Sequence, residues 1–163
     1  MHDWPAVKPR IGRPAQARRL VTKHQPLNGQ APSRAARCDQ RKLRGMDLTA
    51  FANEPYCYLT TTGRVTGEAR EIEIWFGISD STLYVLSGGR DRSNWVKNIR
   101  KQPKVTIRIK DHTFATEGRE VAPATDEDAG ARRLLVGKYQ PGNEGDLTTW
   151  GEKALPMAFE LTA

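Results

Sequence analysis

Alternation of apolar and polar residues in short segments is the feature that most constrains the fold of this chain. Residues 70–77 (REIEIWFG) place Ile72, Ile74 and Phe76 on one side and polar or amphipathic residues on the other, and residues 104–110 (KVTIRIK) repeat the pattern. A period of two is the period of a β-strand with one buried face. Such strands need neighbours, so the pattern predicts a sheet or a barrel.

The remaining elements also follow from local composition. Aromatic and β-branched residues or turn signals predict further strands, and helical spacing with end signals predicts helices. Thr125 is the predicted N-cap of the long helix, because an acidic first turn follows it. The predicted strands are 55–63, 78–87 with a turn at its start, 113–121 and 155–161, and the predicted helices are 91–101, 123–139 and a short one near 147–154. This order predicts a mainly β fold with helices (α+β), with a mostly antiparallel sheet or small barrel.

The positive charge of the chain is confined to its first segment. The whole chain has a formal charge of +7, but residues 1–45 carry eleven Lys/Arg against two Asp, a net +9. Residues 46–163 carry 15 basic and 17 acidic residues, a net −2. We therefore expect no specific nucleic acid partner for the body of the protein.

Residues 1–45 have few aliphatic residues without a sustained period and hold half of the prolines, so we expect a disordered tail. Three interpretations remain open: a tail that contacts polyanions, a targeting segment, or an over-extended start with the natural chain beginning at Met46. We favour the last. The domain then spans residues 46–163.

The rest of the composition limits the cellular compartment of the protein and the kinds of catalysis that it could perform. No apolar run is long enough for a transmembrane helix, and the two cysteines have no paired or metal-like spacing, so we expect a cytoplasmic protein. Cys57 is expected to be a small buried residue. The single histidine of the body, His112, falls in a predicted turn, where an exposed position is favoured over catalysis. Without a nucleophile–base pair or a metal cluster, an enzyme of this kind would take its chemistry from a cofactor.

Two glycine-containing loops predict an anion site. Residues 60–67 (TTTGRVTG) offer hydroxyls, Arg64 and closely spaced N–H groups, and residues 87–95 (SGGRDRSNW) lead two glycines and Arg90 into a helix N-terminus. Unpaired N–H groups and the helix dipole favour a negative charge there. Each loop alone is weak evidence for such a site. Because the two loops follow neighbouring strands, we expect them to close together on one phosphate or polyanionic tail.

These two loops and the strands around them resemble the deazaflavin-dependent nitroreductase family. The resemblance rests on LTTTGRVTGEAREIEIWF followed by LYVLSGGRDRSNWVKNIRKQPKVTIRI, and it spans residues 54–161. It implies a split β-barrel of the FMN-binding, pyridoxamine-phosphate-oxidase-like superfamily. It also implies hydride transfer from reduced coenzyme F420 to a nitroaromatic, a quinone or another conjugated electrophilic acceptor.

The resemblance implies roles for individual residues. Tyr139 matches a tyrosine near the acceptor pocket and would orient a substrate or donate a proton, with plain packing as the alternative. Val65 stands where a lysine is common in the family, which removes one contact to the anionic tail. The cofactor-binding residues that it implies are Thr62, Arg64, Thr66, Gly67, Arg70, Ile74, Trp75, Ser87, Gly88, Gly89, Arg90, Ser93, Trp95 and Asn98.

Two rival functions stay open from the sequence. The same barrel with FMN would be an oxidase or reductase, since both cofactors carry a ring and a phosphate. The other rival is a non-catalytic barrel that only binds a cofactor. The resemblance also leaves a homodimer open.

Overall fold

The computed structural model describes residues 48–161. The basic segment 1–45, Cys38 and the alternative start at Met46 lie outside these residues. The strands are β1 (Cys57–Thr62), β2 (Ala69–Ile74), β3 (Gly77–Ser79), β4 (Thr82–Ser87), β5 (Lys104–Ile109), β6 (His112–Glu120) and β7 (Leu155–Glu160). The helices are α1 (Asn94–Lys101), α2 (Asp126–Tyr139) and α3 (Thr148–Lys153), with 3-10 turns at Leu48–Phe51, Arg90–Arg92 and Gln140–Gly142.

All seven strands form one antiparallel sheet in the order β2-β1-β5-β6-β7-β4-β3. The outer strands β2 and β3 lie at opposite edges of this sheet, yet only Trp75 and Phe76 separate them in the chain. Three residue steps span at most about 11 Å. The sheet must therefore curl until its two edges approach each other, and the meeting point at Trp75–Phe76 is called the seam below.

Strand β6 belongs to both halves of the curled sheet. Its first part, residues 112–117, pairs with β5, and its last part, residues 118–120, pairs with β7. The partner changes at Gly118. A Cβ at this position would lie 2.6 Å from the Phe159 ring and 3.0 Å from Ile99. Only a residue without a side chain permits that approach. The observed architecture confirms the predicted split β-barrel fold class.

The core lies inside the curl of the sheet. Inward residues of β1 and β5 are fully or almost fully buried, as predicted from the alternation of 104–110. Helix α1 packs against β1 and β6, whereas α2 covers β3 and β4 on another side. Strand β7 is buried from Pro156 to Phe159 because both of its faces are covered. The largest fully buried side chains include Phe76, Phe159, Leu59, Leu83, Ile107, Ile109, Leu135 and Met157.

The predicted cap of the long helix is confirmed. Thr125 precedes α2, and its hydroxyl accepts a hydrogen bond from the N–H of Asp128 at 3.2 Å. Three acidic residues occupy the first turn, where the helix dipole favours negative charge. Within residues 48–161, no helix combines the length and the apolar character that crossing a membrane requires.

Helices α1 and α2 begin at Asn94 and Asp126, three residues later than predicted, and three further details differ from the sequence prediction. The predicted strand 70–77 ends at Ile74, and Ile72 and Ile74 are only half-buried, because β2 is an edge strand with one neighbour. The short strand β3 was not predicted, because its three residues are too few to show a period. His112 is not an exposed turn residue: it opens β6, and its ring packs on Phe51 with centroids 5.0 Å apart.

Candidate functional site

The first predicted loop is a tight turn between β1 and β2. The Gly67 N–H donates to the Gly63 carbonyl at 2.7 Å, and the Gly63 N–H donates to the Glu68 carbonyl at 2.7 Å. Gly67 has a φ of 72°, a left-handed conformation that glycine adopts without strain. Val65 lies at the tip and is 87% exposed. The turn therefore projects residues 64–66 outward while its ends stay fixed.

Arg64 connects this loop to helix α1. The oxygen of the Asn98 side chain accepts from the Arg64 backbone N–H at 3.1 Å and from its Nη1 at 3.2 Å. Arg64 Nη2 donates to Asn94 Oδ1 at 3.2 Å, and Lys101 Nζ donates to the Arg64 carbonyl at 3.2 Å. Asn98 is buried, and its Nδ2 donates to Thr61 Oγ1 at 3.1 Å. One face of α1 thus fixes the first loop.

The second loop follows β4 and leads into α1. Ser87 is buried, and its hydroxyl forms a 2.8 Å hydrogen bond with the Ser93 hydroxyl and donates to the Arg90 carbonyl at 3.1 Å. Gly89 leaves room for this arrangement, because a Cβ there would lie 2.5 Å from Ser93 Oγ. Arg90, and neither glycine, takes the left-handed conformation, with φ of 51°. The loop is therefore a fixed turn closed by two serines.

The start of helix α1 has no side-chain cap. Ser93 stands at the N-cap position, but its side chain makes no capping hydrogen bond, because its hydroxyl is bonded to Ser87 instead. The first-turn N–H groups of α1 therefore receive no side-chain acceptor from Ser93. Asn94 lies in this first turn, and the guanidinium of Arg64 from the first loop donates to its side chain. N–H donors, hydroxyls and guanidinium groups together are the donor set that a phosphate or carboxylate requires.

The other predicted cofactor residues are distributed more widely. Arg70 pairs with Glu68 at 2.7 Å, and the Thr66 hydroxyl accepts from the Glu68 N–H, so both serve the β2 side of the turn. Arg90 Nη1 donates to the carbonyl of Lys153 at the end of α3. Trp95 is half-buried on α1, while its neighbour Val96 is buried. Ile74 ends β2, Gly88 is half-buried in the second loop, and Thr62 is the last residue of β1.

Three aromatic side chains form a wall beside the seam. Trp75 stacks on Tyr139 with ring centroids 4.4 Å apart and an interplanar angle of 6°, and Trp150 meets Trp75 edge-on at 5.8 Å. All three rings are partly exposed. Helix α3 joins this wall to the second loop, since it carries Trp150 and ends at the Lys153 carbonyl that Arg90 contacts. The wall is a suitable surface for a flat conjugated molecule.

The Tyr139 hydroxyl is occupied by the backbone of the seam. It accepts from the Phe76 N–H at 3.0 Å, and its proton faces the Pro55 carbonyl at 2.9 Å and the Phe76 carbonyl at 3.0 Å. Burial raises the pKa of Tyr139 well above its ordinary value. This geometry holds the ring in place for stacking.

Sequence reasoning missed Asn94, Trp150 and Lys138. Asn94 could have been predicted from the sequence, because it precedes Asn98 by four residues and so shares its helix face. Trp150 lies in a short helix after a loop without periodic residues, so nothing local indicated its neighbours. Lys138 resembles an ordinary basic residue at a helix C-terminus, but its Nζ donates to the Glu54 carbonyl at 2.6 Å and to the Phe76 carbonyl at 2.9 Å.

Comparisons with known proteins identify the family and the fold of the chain. Residues 33–160 match the family described as F420H(2)-dependent quinone reductase. Among solved structures, an F420-H2 dependent reductase (FDR-A) is 21% identical with a TM-score of 0.53, and the match covers 66% of this chain and 95% of that one. The heme storage protein HutZ from Vibrio cholerae is 12% identical with a TM-score of 0.55, covering 70% and 87%. A protein described as a domain-swapped dimer is 18% identical with a TM-score of 0.54, covering 77% and 96%. At these identities the structural matches establish the fold.

Proposed function

Because the chain belongs to the F420H2-dependent quinone reductase family, and is thus a deazaflavin-dependent oxidoreductase, we propose that it transfers a hydride from reduced coenzyme F420 to a quinone. The single observation that carries the assignment of the site is the joining of the two loops through α1. Arg64 of the first loop bonds Asn98 and Asn94, and the second loop runs directly into the same helix.

The residues present fit an anionic cofactor tail. The N-terminus of α1 lacks a side-chain cap from Ser93, and Gly89 keeps the backbone open where a Cβ would collide with the Ser93 hydroxyl. We propose that these N–H groups, the hydroxyls of Ser87 and Ser93 and the guanidinium of Arg64 bind the tail. Thr62, Thr66, Gly67, Arg70, Gly88, Arg90 and Asn98 would support this site from the same two loops and from α1.

The aromatic wall is proposed as the acceptor side of the site. A quinone is flat and conjugated, so it is expected to lie against Trp75 and Trp150, which present partly exposed ring surface. Ile74 and Trp95 would limit the space around the cofactor ring. These contacts would exclude water and orient the acceptor, and positioning of this kind can supply a large share of a rate enhancement.

When bound, the reduced deazaflavin supplies the hydride. Reduction of a quinone to a hydroquinone needs one hydride and one proton. The Tyr139 hydroxyl already bonds the seam backbone and has a raised pKa, so we assign it to orientation of the wall. The proton would then come from solvent when the reduced oxygen regains contact with water.

The test is steady-state oxidation of reduced F420 by the purified full-length protein. Menadione and a nitroimidazole are supplied separately at equal concentration, and the loss of reduced cofactor is followed by absorbance. We expect turnover with menadione that exceeds turnover with the nitroimidazole. Turnover with the nitroimidazole alone would overturn the assignment of the acceptor. Oxidation of reduced FMN, with no oxidation of reduced F420, would overturn the assignment of F420 as the cofactor.

A further inference from the structure

Lys138 lies at the seam, where the two edges of the curled sheet approach each other. Its Nζ donates to the Glu54 carbonyl at 2.6 Å, just before β1, and to the Phe76 carbonyl at 2.9 Å, between β2 and β3. The ammonium also lies 4.0 Å above the centroid of the Phe76 ring. One side chain of α2 therefore joins the segment before β1 to the corner that closes the sheet.

The surroundings of this ammonium are mostly uncharged. Among the ion pairs of residues 48–161, none includes Lys138, and the nearby Glu54 carboxylate is paired with Lys110 at 2.6 Å. The other titratable side chains that face Lys138 are the buried Cys57 of β1 and Tyr139 of its own helix, whose ring centroid lies 5.2 Å from Nζ. Keeping a half-buried ammonium charged costs free energy when only carbonyls surround it. Its position therefore calls for a structural explanation.

The backbone that Lys138 holds also carries Trp75. The Phe76 carbonyl accepts from both Lys138 and Tyr139, and the Phe76 N–H donates to Tyr139. Trp75 is the preceding residue, and its indole stacks on Tyr139. Any change at the Phe76 carbonyl therefore changes the backbone from which the Trp75 indole projects.

We propose that Lys138 is a positioning residue, whose ammonium holds the seam closed and thereby fixes the Trp75 indole against Tyr139. The effect on the seam stands independently of catalysis. Its consequence for acceptor binding rests on the proposed function, because only there does Trp75 contact the acceptor.

The proposal implies a dependence on pH with a definite direction. Burial lowers the pKa of Lys138 to about 8, against the opposing influence of Cys57 and Glu54. Below that pH the ammonium offers charge-assisted hydrogen bonds to both carbonyls, whereas the neutral amine above it donates more weakly. The seam is therefore expected to be fixed below pH 8 and looser above it.

The test uses full-length protein labelled with 5-fluorotryptophan and fluorine NMR. The sequence contains four tryptophans, and the Trp75 resonance is assigned as the one lost in Trp75→Phe. In the wild type we expect this resonance to shift with a midpoint near pH 8. In Lys138→Met the Trp75 resonance should have the high-pH chemical shift of the wild type at every pH. Lys138→Arg keeps a permanent cation with several donors, so it should hold the low-pH position at every pH.

Arg133→Met is the matched control, because it removes a cation from an exposed position of the same helix. It should titrate as the wild type does. A Trp75 resonance that titrates equally in Lys138→Met and in the wild type would overturn the proposal. If Lys138→Met does not fold by circular dichroism, Lys138→Arg decides, since a wild-type titration in that variant would also overturn it.

Kinetics then separate this proposal from the proposed function. In Lys138→Met we expect a several-fold rise in the KM for menadione with little change in F420 affinity. A wild type without F420-dependent turnover would remove the proposed function and leave the NMR result standing. If Lys138→Met has normal turnover and its Trp75 resonance coincides with that of the wild type, the positioning role of Lys138 is wrong and the proposed function stands.

Discussion

Asn98 and Arg64 form the link between the two loops of the candidate site. The Asn98 side-chain oxygen accepts from the Arg64 N–H at 3.1 Å and from its guanidinium at 3.2 Å, while its Nδ2 donates to Thr61. A buried carboxamide that satisfies three groups from one turn fixes that turn relative to α1. The proposed anion site would therefore depend on a residue that need not touch the cofactor.

Asn98→Ala should destabilise the protein by about 1–3 kcal/mol, because it leaves the buried Thr61 hydroxyl and the half-buried donors of Arg64 without this partner. It should also lower the affinity for F420 by releasing the first loop. Chemical denaturation and cofactor titration measure the two effects. Asn94→Ala is the control, since this exposed residue accepts one bond from Arg64 and should cost at most about 1 kcal/mol. Equal losses in both variants would contradict the account.

Arg90 offers a comparison of backbone and side chain. Its φ of 51° is left-handed and costs alanine more than glycine, so Arg90→Gly should be more stable than Arg90→Ala by about 1 kcal/mol. Both variants lose the guanidinium, so both should show the same reduced F420 affinity. Thermal unfolding and titration check these expectations. If Arg90→Ala binds F420 as tightly as the wild type, the guanidinium has no role in the site.

Gly89→Ala should disturb the pair of serine hydroxyls. The added Cβ would lie 2.5 Å from Ser93 Oγ, which must move away from Ser87. We expect weaker F420 binding together with a loss of stability, measured by titration and thermal unfolding. Gly137→Ala provides the contrast, because nothing lies within 4 Å of its added Cβ inside α2. That change should stabilise the helix by about 0.5–1 kcal/mol.

Glu127 should contribute to stability only above the acidic range. Hydrogen bonds from Arg119 are the main cause that lowers the pKa of Glu127 below its ordinary value, with a further bond from Tyr84. The folded state thus binds this proton less readily than the unfolded state does, so the contribution is present above pH 4.5 and is lost as pH falls through the folded pKa. Glu127→Gln should flatten the acid limb of the stability curve. Glu144→Gln, at an exposed loop position, should leave that limb unchanged.

Local patterns predicted the elements that have a clear period or an end signal in the sequence. The alternation of 104–110 predicted β5 and its inward residues, and the acidic turn after Thr125 predicted the cap of α2. The pairing of the two loops was also expected, because their glycines and arginines have the composition of anion sites. The structure supplies the connection through Asn98, which no pattern in the sequence showed.

The seam depends on contacts between residues far apart in the chain. Trp75 and Tyr139 are separated by more than 60 positions, and neither a period nor a motif relates them. Likewise, Ile72 and Ile74 alternate as a buried strand does, but β2 lies at the edge of the sheet and they remain half-buried. Strand order decides this burial, and strand order is set by tertiary packing.

Titration of the full-length protein with F420 and, separately, with FMN tests the central claim most directly. Quenching of F420 fluorescence reports binding, and Asn98→Ala provides the variant in which the two loops are uncoupled. The account predicts saturable F420 binding, no comparable FMN binding, and at least a tenfold loss of F420 affinity in Asn98→Ala, equivalent to about 1.4 kcal/mol. Purified protein that carries FMN and does not bind F420 would contradict it.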